Sequence, residues 1–550
     1  MALAKAATFA ARICFESYEP AVTADVPKAR PSDAVARRGG GLEAVGLAGI
    51  LLLAWLLVFP HTPDLAAQVY RVGLFRQIGF AVYDSHWYAG HQLPGYSLLF
   101  PPLGALLGVR AVGVLSVLVS TALFGVIVRE RHPAGARWAG VAFAVAAAAD
   151  VWQGRLAFAL GVTLGLGAVL LYSRERPVSA AFLAALTAAA SPVAGFVLGI
   201  AALIGAARSR SIRPLAILAA APALVVLVLA ALFPEGGTEP YPLLSFLATA
   251  GATIVFSTAV TGGGRKLGVT GPLYLLICSL CLLIPSPVGS NVERAGVLLA
   301  APLLLAVRPR LGRLGAAALV VLGVWVLWGP VRETVAVSGS AATSRGYYAP
   351  VERFVASLGG APVRVEVPLT RSRWEAALLA PKVPLARGWE KQLDERYDGV
   401  LLKSGLDAAA YRRWLEREAV SYVALPDAQL DQSSAAEGRL IRGGLPYLRL
   451  VAAFPHWWIY AVLDPTPLVS GPATLTALGH DGFALRASGP GTIEVRLHDT
   501  RWWAVTSGEA CVGPGPEGFT DVRASRAGQI SVAARFSLSR LFGAGVACRP

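Results

Sequence analysis

The stretch LEAVGLAGILLLAWLLVFP, residues 42–60, decides the fold. Its one charge, Glu43, stands near its start, and its length approaches the ~20 apolar residues that a helix needs to cross a bilayer. Lipid offers the backbone no hydrogen-bond partner, so such a stretch has to be helical. Working outward, similar runs recur as far as Trp328. The chain of 550 residues is 55% hydrophobic and 15% charged, with a mean hydropathy of +0.56. Those values exclude one soluble domain and far exceed one span, and they read as a polytopic α-helical membrane protein.

The net charge of +15 does not point to nucleic acid. Lys and Arg gather in short patches between apolar runs, at 28–38, 129–137, 174–176, 208–213, 265–266 and 308–313. The intervening loops, 60–97, 150–155, around Ser191, 234–241 and 285–294, are poorer in them. This is the positive-inside pattern. With the patches cytoplasmic, the chain has about eleven spans, the odd count leaving the amino terminus inside and the carboxyl terminus outside a plasma membrane. Residues 98–128 could hold an extra helix ahead of the true crossing. Residues 1–20 contain no apolar run of secretory length, so no cleaved signal is expected and the first span serves as anchor.

The expected domains are a cytoplasmic segment 1–41, a transmembrane domain 42–332 with first outer loop 60–97, an extracytoplasmic α/β subdomain 333–464 and a β-sandwich-like subdomain 465–550. Strand-like runs such as 363–368 and 422–426 alternate with the helical 407–419 in the third, while the fourth has short alternating runs broken by Gly-Pro and Asp-Gly. Trp457, Trp458, Trp502 and Trp503 could be platforms on which a carbohydrate stacks, or could fill cores. Cys278 and Cys281 lie in an apolar run and read as small hydrophobes. Cys511 and Cys548, in a tail outside the cell, are expected to pair, a link worth about 3–4 kcal/mol.

Immediately after the first run comes YDSHWYAGHQLPGYSLLFPPL, residues 83–103. Polar and aromatic groups gathered beside a bilayer are costly unless water, a head group or a substrate meets them. Asp84, His86, Trp87, Tyr88 and His91 belong to it. Asp150 and Arg155 come from the turn at 150–155, and Asn291 and Arg294 from the turn at 285–294. All three segments fall on the expected outer face and could converge. A carboxylate among cations suits transfer from a phosphate-linked lipid. Arg155 and Arg294 would neutralise the phosphate, and Asp84 would take the proton of an acceptor hydroxyl. Other readings stand beside these: Asp150 pairing with Arg155, Asn291 and Arg294 capping a helix, and His86 with His91 and Asp84 holding a divalent metal, although their spacing matches no strong zinc motif.

On Asp84 in YDSHWYAGH, the LPGYSLLFPPL that follows, the QGR at 153–155, the SPVAG at 191–195 and the GSNVERAG at 289–296, the chain resembles the GT-C superfamily of polyprenyl-phosphate-sugar-dependent glycosyltransferases. The tail, with YYAPVERF, WEAALLAPKVPLARGWEKQLD and VALPDAQLD, resembles that of large actinobacterial-type membrane proteins. The resemblance implies many spans followed by an extracytoplasmic domain. It also implies an acidic base in the first outer loop and inverting transfer from a polyprenyl-phosphate sugar, such as arabinofuranose or mannose, to an envelope glycan or other acceptor. The first loop has no adjacent acidic pair, so only the base has a place by motif. Two alternatives remain: a transporter or flippase of a lipid-linked glycan, which calls for charge within the spans, and a non-catalytic envelope scaffold.

Overall fold

The computed structural model describes residues 31–261, 268–307, 310–360, 362–403 and 405–541. The segment before residue 31, the basic pair Arg265 and Lys266, Arg308, and Cys548 lie outside the described residues, and with Cys548 the expected pairing. The chain divides into two compact units, 1–39 and 40–550, and the second holds the helical bundle and the C-terminal sheets.

Among the described residues, eight helices are long and apolar enough to cross a membrane: Gly41–Val58, Val109–Arg131, Leu156–Ser173, Pro192–Ser209, Leu215–Leu232, Leu243–Val260, Gly289–Val307 and Arg313–Val337. The three other expected crossings are also helical. Ala136–Trp152 has 17 residues, and Pro177–Ala190 and Thr270–Leu283 have 14 each. At 1.5 Å per residue, 14 residues rise only about 21 Å against a hydrocarbon core of about 30 Å, so flanking residues must complete those crossings. Leu57, Leu106, Leu244 and Leu283 stand exposed, as lipid-facing side chains do. The protein is a multi-pass membrane protein.

Local chemistry sets the breaks. Ser191 ends one helix and caps the next, its Oγ accepting the Ala194 N–H at 3.3 Å, with Pro192 in the first turn. Pro222 cannot donate to Leu218, and just before it Leu215–Ala219 widens into a π-turn. Between the first two crossings, helix Pro63–Ile78 is followed by a hairpin of β1 (Tyr83–Asp84) and β2 (His91–Gln92), and then by the eight-residue helix Phe100–Leu107. Gly108, at φ 90°, turns the chain into Val109–Arg131. The extra helix expected within 98–128 is therefore present. It crosses Pro63–Ile78 at Gly104, where a Cβ would lie 2.6 Å from a Val72 methyl.

Beyond Val337 the chain builds sheets. β3 (Arg364–Glu366), β4 (Val420–Pro426), β5 (Leu448–Phe454) and β6 (Trp457–Val462) form one sheet in the order β3-β4-β6-β5, with β3 parallel to β4 and the rest antiparallel. Helices Glu375–Leu378, Lys391–Tyr397 and Ala408–Arg417 lie in the crossover that the parallel pair requires. Then β7 (Val469–Ser470), β8 (Ala473–Gly479), β9 (Gly482–Ala487), β10 (Gly491–His498), β11 (Trp503–Ser507), β12 (Ala510–Pro514), β13 (Phe519–Ala524) and β14 (Gly528–Ala534) make two antiparallel four-stranded sheets, β12-β13-β10-β7 and β11-β14-β9-β8. Leu485, Ile493 and Val522 are fully buried between them. Trp457, Trp502 and Trp503 are 0–2% exposed and belong to cores, leaving Trp458, at 40%, as the one of the four tryptophans open to a ligand. Cys278 is buried and Cys281 half-buried, both as free thiols. Cys511 lies in β12.

Candidate functional site

The C-terminal region and the first loop meet at one end of the bundle, where the Trp374 indole N–H donates to the His61 carbonyl at 2.8 Å. The loop's centre is the β1–β2 hairpin, with Asp84 opposite His91 and Tyr83 opposite Gln92. Its turn is left-handed at Tyr88, Ala89 and Gly90. At Gly90 a Cβ would fall 1.6 Å from the Tyr83 hydroxyl, so only glycine fits. Successive strand residues face opposite ways. Tyr83 runs into the sandwich, donating to the His498 carbonyl at 2.7 Å, while Asp84 faces a cage of histidines.

Asp84 is completely buried. The Tyr70 hydroxyl donates to its Oδ2 at 2.7 Å, and His480 Nδ1 and the His86 amide lie 2.9 and 3.2 Å from its Oδ1. His91 Nδ1 stands 4.0 Å from Oδ2. Burial alone would raise this carboxyl. The His480 hydrogen bond and the fields of His91, His480 and His86 outweigh it and bring the pKa down to about 2. Asp84 is thus a carboxylate at neutral pH and can only accept, so the His480 nitrogen that faces it, Nδ1, carries a proton. The His480 side chain is 10% exposed. Burial drives His86 and His91 down to about 4, so both are neutral imidazoles. His86 Nδ1 donates to the Ala380 carbonyl at 2.7 Å. Both ring nitrogens of His91 are buried without a hydrogen-bond partner among the described residues.

Residues 374–394 clasp this hairpin from outside. Trp87 donates to the Ala376 carbonyl at 3.2 Å, stacks on Tyr70 at 4.2 Å, and leaves no room for a side chain at Gly388. The Tyr88 hydroxyl donates to Asp394 Oδ1 at 2.7 Å and accepts the Glu390 N–H at 2.8 Å. Trp87 and Tyr88, expected as substrate contacts, are therefore wall-building side chains here, both fully buried.

The other expected site residues also meet. Arg155 Nε lies 3.2 Å from Asp64 and its Nη1 3.5 Å from Asp150, which forms the expected pair. Gln68 receives the Ala157 N–H at 2.8 Å and so ties the first loop to the 150–155 turn. Arg71, nearly buried, pairs with Glu390 at 2.5 Å and lies 4.0 Å over the Tyr96 ring. Burial pushes the Tyr96 hydroxyl up to about 12, while Arg71, Asp64, Arg294 and Glu390 all act on it, which gathers the loop and the 291–294 turn around one tyrosine. Arg294, 5.2 Å over the Phe158 ring, makes no ion pair or hydrogen bond among the described residues. Asn291 sits half-buried in the 3₁₀ turn Gly289–Val292 ahead of that helix, its N–H on the Val288 carbonyl at 2.9 Å. Beside this cluster runs an apolar groove along Leu74, Phe75, Phe80, Leu93 and Pro94, and Arg71 is its one charged residue.

His480 and Tyr70 are the partners that sequence reasoning missed. His480 lies in the tight turn between β8 and β9, where His-Asp-Gly signals only a hairpin. Tyr70 is one of many apolar positions on its helix. No group of three or more His, Cys, Asp or Glu side chains among the described residues is placed to hold a metal ion.

No protein-family model and no curated protein match the chain. Thirteen chains of solved structures do. One is ArnT from Cupriavidus metallidurans in the apo state, 12% identical, with 76% of this chain and 98% of that one covered at a TM-score of 0.42.

Proposed function

We propose that this protein is a GT-C-type membrane glycosyltransferase that moves a sugar from a polyprenyl-phosphate donor to an envelope glycan or other acceptor, with inversion. The reaction takes place where the first loop meets the C-terminal region. In this reading residues 1–41 are cytoplasmic, 42–332 hold the spans, and 333–464 and 465–550 are outside the cell, with Cys511 and Cys548 joined there. The observation that carries the reading is the apolar groove with Arg71 in its wall, together with Arg294, which like Arg71 acts on Tyr96 and makes no ion pair among the described residues. An isoprenoid chain needs the first, and its phosphate needs a cation that is not already neutralised. Arg155, already shared by Asp64 and Asp150, is an ancillary cation. Transport is less well supported, because charged residues of the apolar helices stand near their ends rather than in mid-span.

Asp84 is the expected base, yet both of its oxygens are engaged and none of it is accessible. The proton is therefore taken by the Asp84–His480 pair. The acceptor oxygen attacks the anomeric carbon, its proton passes to His480 Nε2, and the bond from that carbon to the phosphate oxygen breaks, leaving polyprenyl phosphate with the electron pair beside Arg294. Asp84 fixes the tautomer of His480 and stabilises the imidazolium that forms, as the carboxylate does in other acid-histidine pairs. His86 and His91 flank this pair from within the buried cage, and Asn291, on the 291–294 turn with Arg294, is the remaining candidate for a substrate contact.

The test is release of polyprenyl phosphate by the purified protein in lipid, offered polyprenyl-phosphate sugars and envelope-glycan acceptors. Wild type should turn over, while His480→Gln and Asp84→Asn should each fall by about 10²–10⁴. Arg294→Ala should act mainly through a higher KM for the donor. Full activity in His480→Gln would remove the histidine from the mechanism.

A further inference from the structure

A polar cavity of about 310 Å³ lies on the other face of the β1–β2 hairpin, enclosed by the first loop, the 234–235 turn, helix Lys391–Tyr397 and the sandwich. That volume is at the lower end of the ~300–1,000 Å³ typical of small-molecule sites. Two carboxyl oxygens in its wall, Glu235 Oε2 and Asp499 Oδ1, are buried and have no hydrogen-bond partner among the described residues. Unsatisfied buried polar atoms are costly and rare, so a wall that carries two of them is built for a partner. Aromatic surface stands beside them, with Tyr397 stacked on His498 at 4.2 Å and His498 on Phe519 at 5.2 Å.

The charges in this wall nearly cancel. Arg417 pairs with Glu418 at 2.8 Å, and Glu517 lies 3.6 Å from Arg496. Arg396, which makes no ion pair among the described residues, balances Asp499. Burial pushes Glu235 up to about 8, so at neutral pH it is a carboxylic acid that can both donate and accept. Such a wall favours neither a phosphate nor a cation. Many hydroxyls, with C–H faces for the aromatic stack, would satisfy it.

We propose that the cavity walled by Tyr83, Glu235, Arg396, Tyr397, Arg417 and Asp499 binds a neutral polyhydroxylated ligand, one unit of a carbohydrate. The site is separate from Asp84, which lies one residue along β1 and faces the opposite way, and it does not depend on the transferase reading. The experiment is saturation-transfer NMR of the full-length protein in micelles with the methyl glycosides of mannose and of arabinofuranose. Wild type should saturate the ring protons of at least one glycoside. Asp499→Ala and the exposed-site variant Arg396→Ala should each weaken binding about tenfold, the scale of a lost hydrogen bond or two. No transfer from either glycoside to wild type, or unchanged binding in a folded Arg396→Ala, would overturn the proposal. Binding without any polyprenyl phosphate release would leave this site standing and remove the transferase reading instead.

Discussion

Asp84, fully buried, and Glu235, half-buried with its Oε2 enclosed, are carboxyl groups at the same hairpin, and desolvation has opposite outcomes for them. Asp84 receives a tyrosine hydroxyl, a histidine N–H and an amide, with a second histidine nearby, and is held as an anion at about 2. Glu235 receives the single Gln92 N–H and is driven to about 8. Low dielectric penalises the charge on each, and the number of donors decides the result. A carboxylate in a turn beside a membrane is therefore not one kind of group. Its role is set by what the rest of the chain points at it.

The sharpest way to break this comparison is to remove the Asp84 anion. Beyond the loss expected from each single variant, the double variant Asp84→Asn with His480→Gln should be no slower than the worse single one, because the two act as one unit. Polyprenyl phosphate release that falls multiplicatively would mean that they act separately.

Next in size, Tyr70→Phe deletes one donor to a buried carboxylate and should cost about 1.5–3 kcal/mol of stability, read as a lower unfolding midpoint in micelles. The group also sets an acid limb. Because the folded pKa is below 3.8, the contribution of Asp84 is full above that value and is lost as pH falls towards about 2. That limb should shrink in Tyr70→Phe, and an unchanged limb would assign it to other groups.

Glu235 runs the other way and more gently. Its folded pKa, about 8, exceeds the ordinary 4.5, so its contribution is full below 4.5 and is lost as pH rises through about 8. Comparing unfolding midpoints across that window, Glu235→Gln should show the flatter profile. The smallest effect concerns chemistry rather than stability. Cys511 and Cys548 should resist alkylation until reduced, and two thiols that label at once in the native protein would contradict an outside tail.

The helical half was legible because its signal is local. Among the described residues the eleven apolar runs are eleven helices, and the extra helix that 98–128 could hold is there as well. The sandwich was legible for the same reason, through alternation along β9 and β10. The three segments expected to converge do so, with Arg155 of the 150–155 turn on Asp64 of the first loop, and Arg294 and Asp64 both acting on Tyr96. What could not be read was which side chains face the Asp84 carboxylate, because they depend on packing between distant elements. His480 stands in an ordinary hairpin turn, and the residues that clasp Trp87 and Tyr88 form a segment with no periodicity of its own. The burial of Glu235 was hidden in PEGGTEPY, which reads as a solvated turn and is instead roofed by the sandwich and helix Lys391–Tyr397.

One contact also sets a schedule. His480 follows Asp84 by 396 positions. At ~5–20 residues per second, a ribosome takes roughly 20–80 s to make that interval. Throughout that time the first loop has emerged with its carboxylate and two buried-to-be histidines, but without the strand turn that completes their cage. Water has to serve as their stand-in partner until the last sheets fold. The loop that meets the membrane surface first is thus among the last parts of the molecule to be finished.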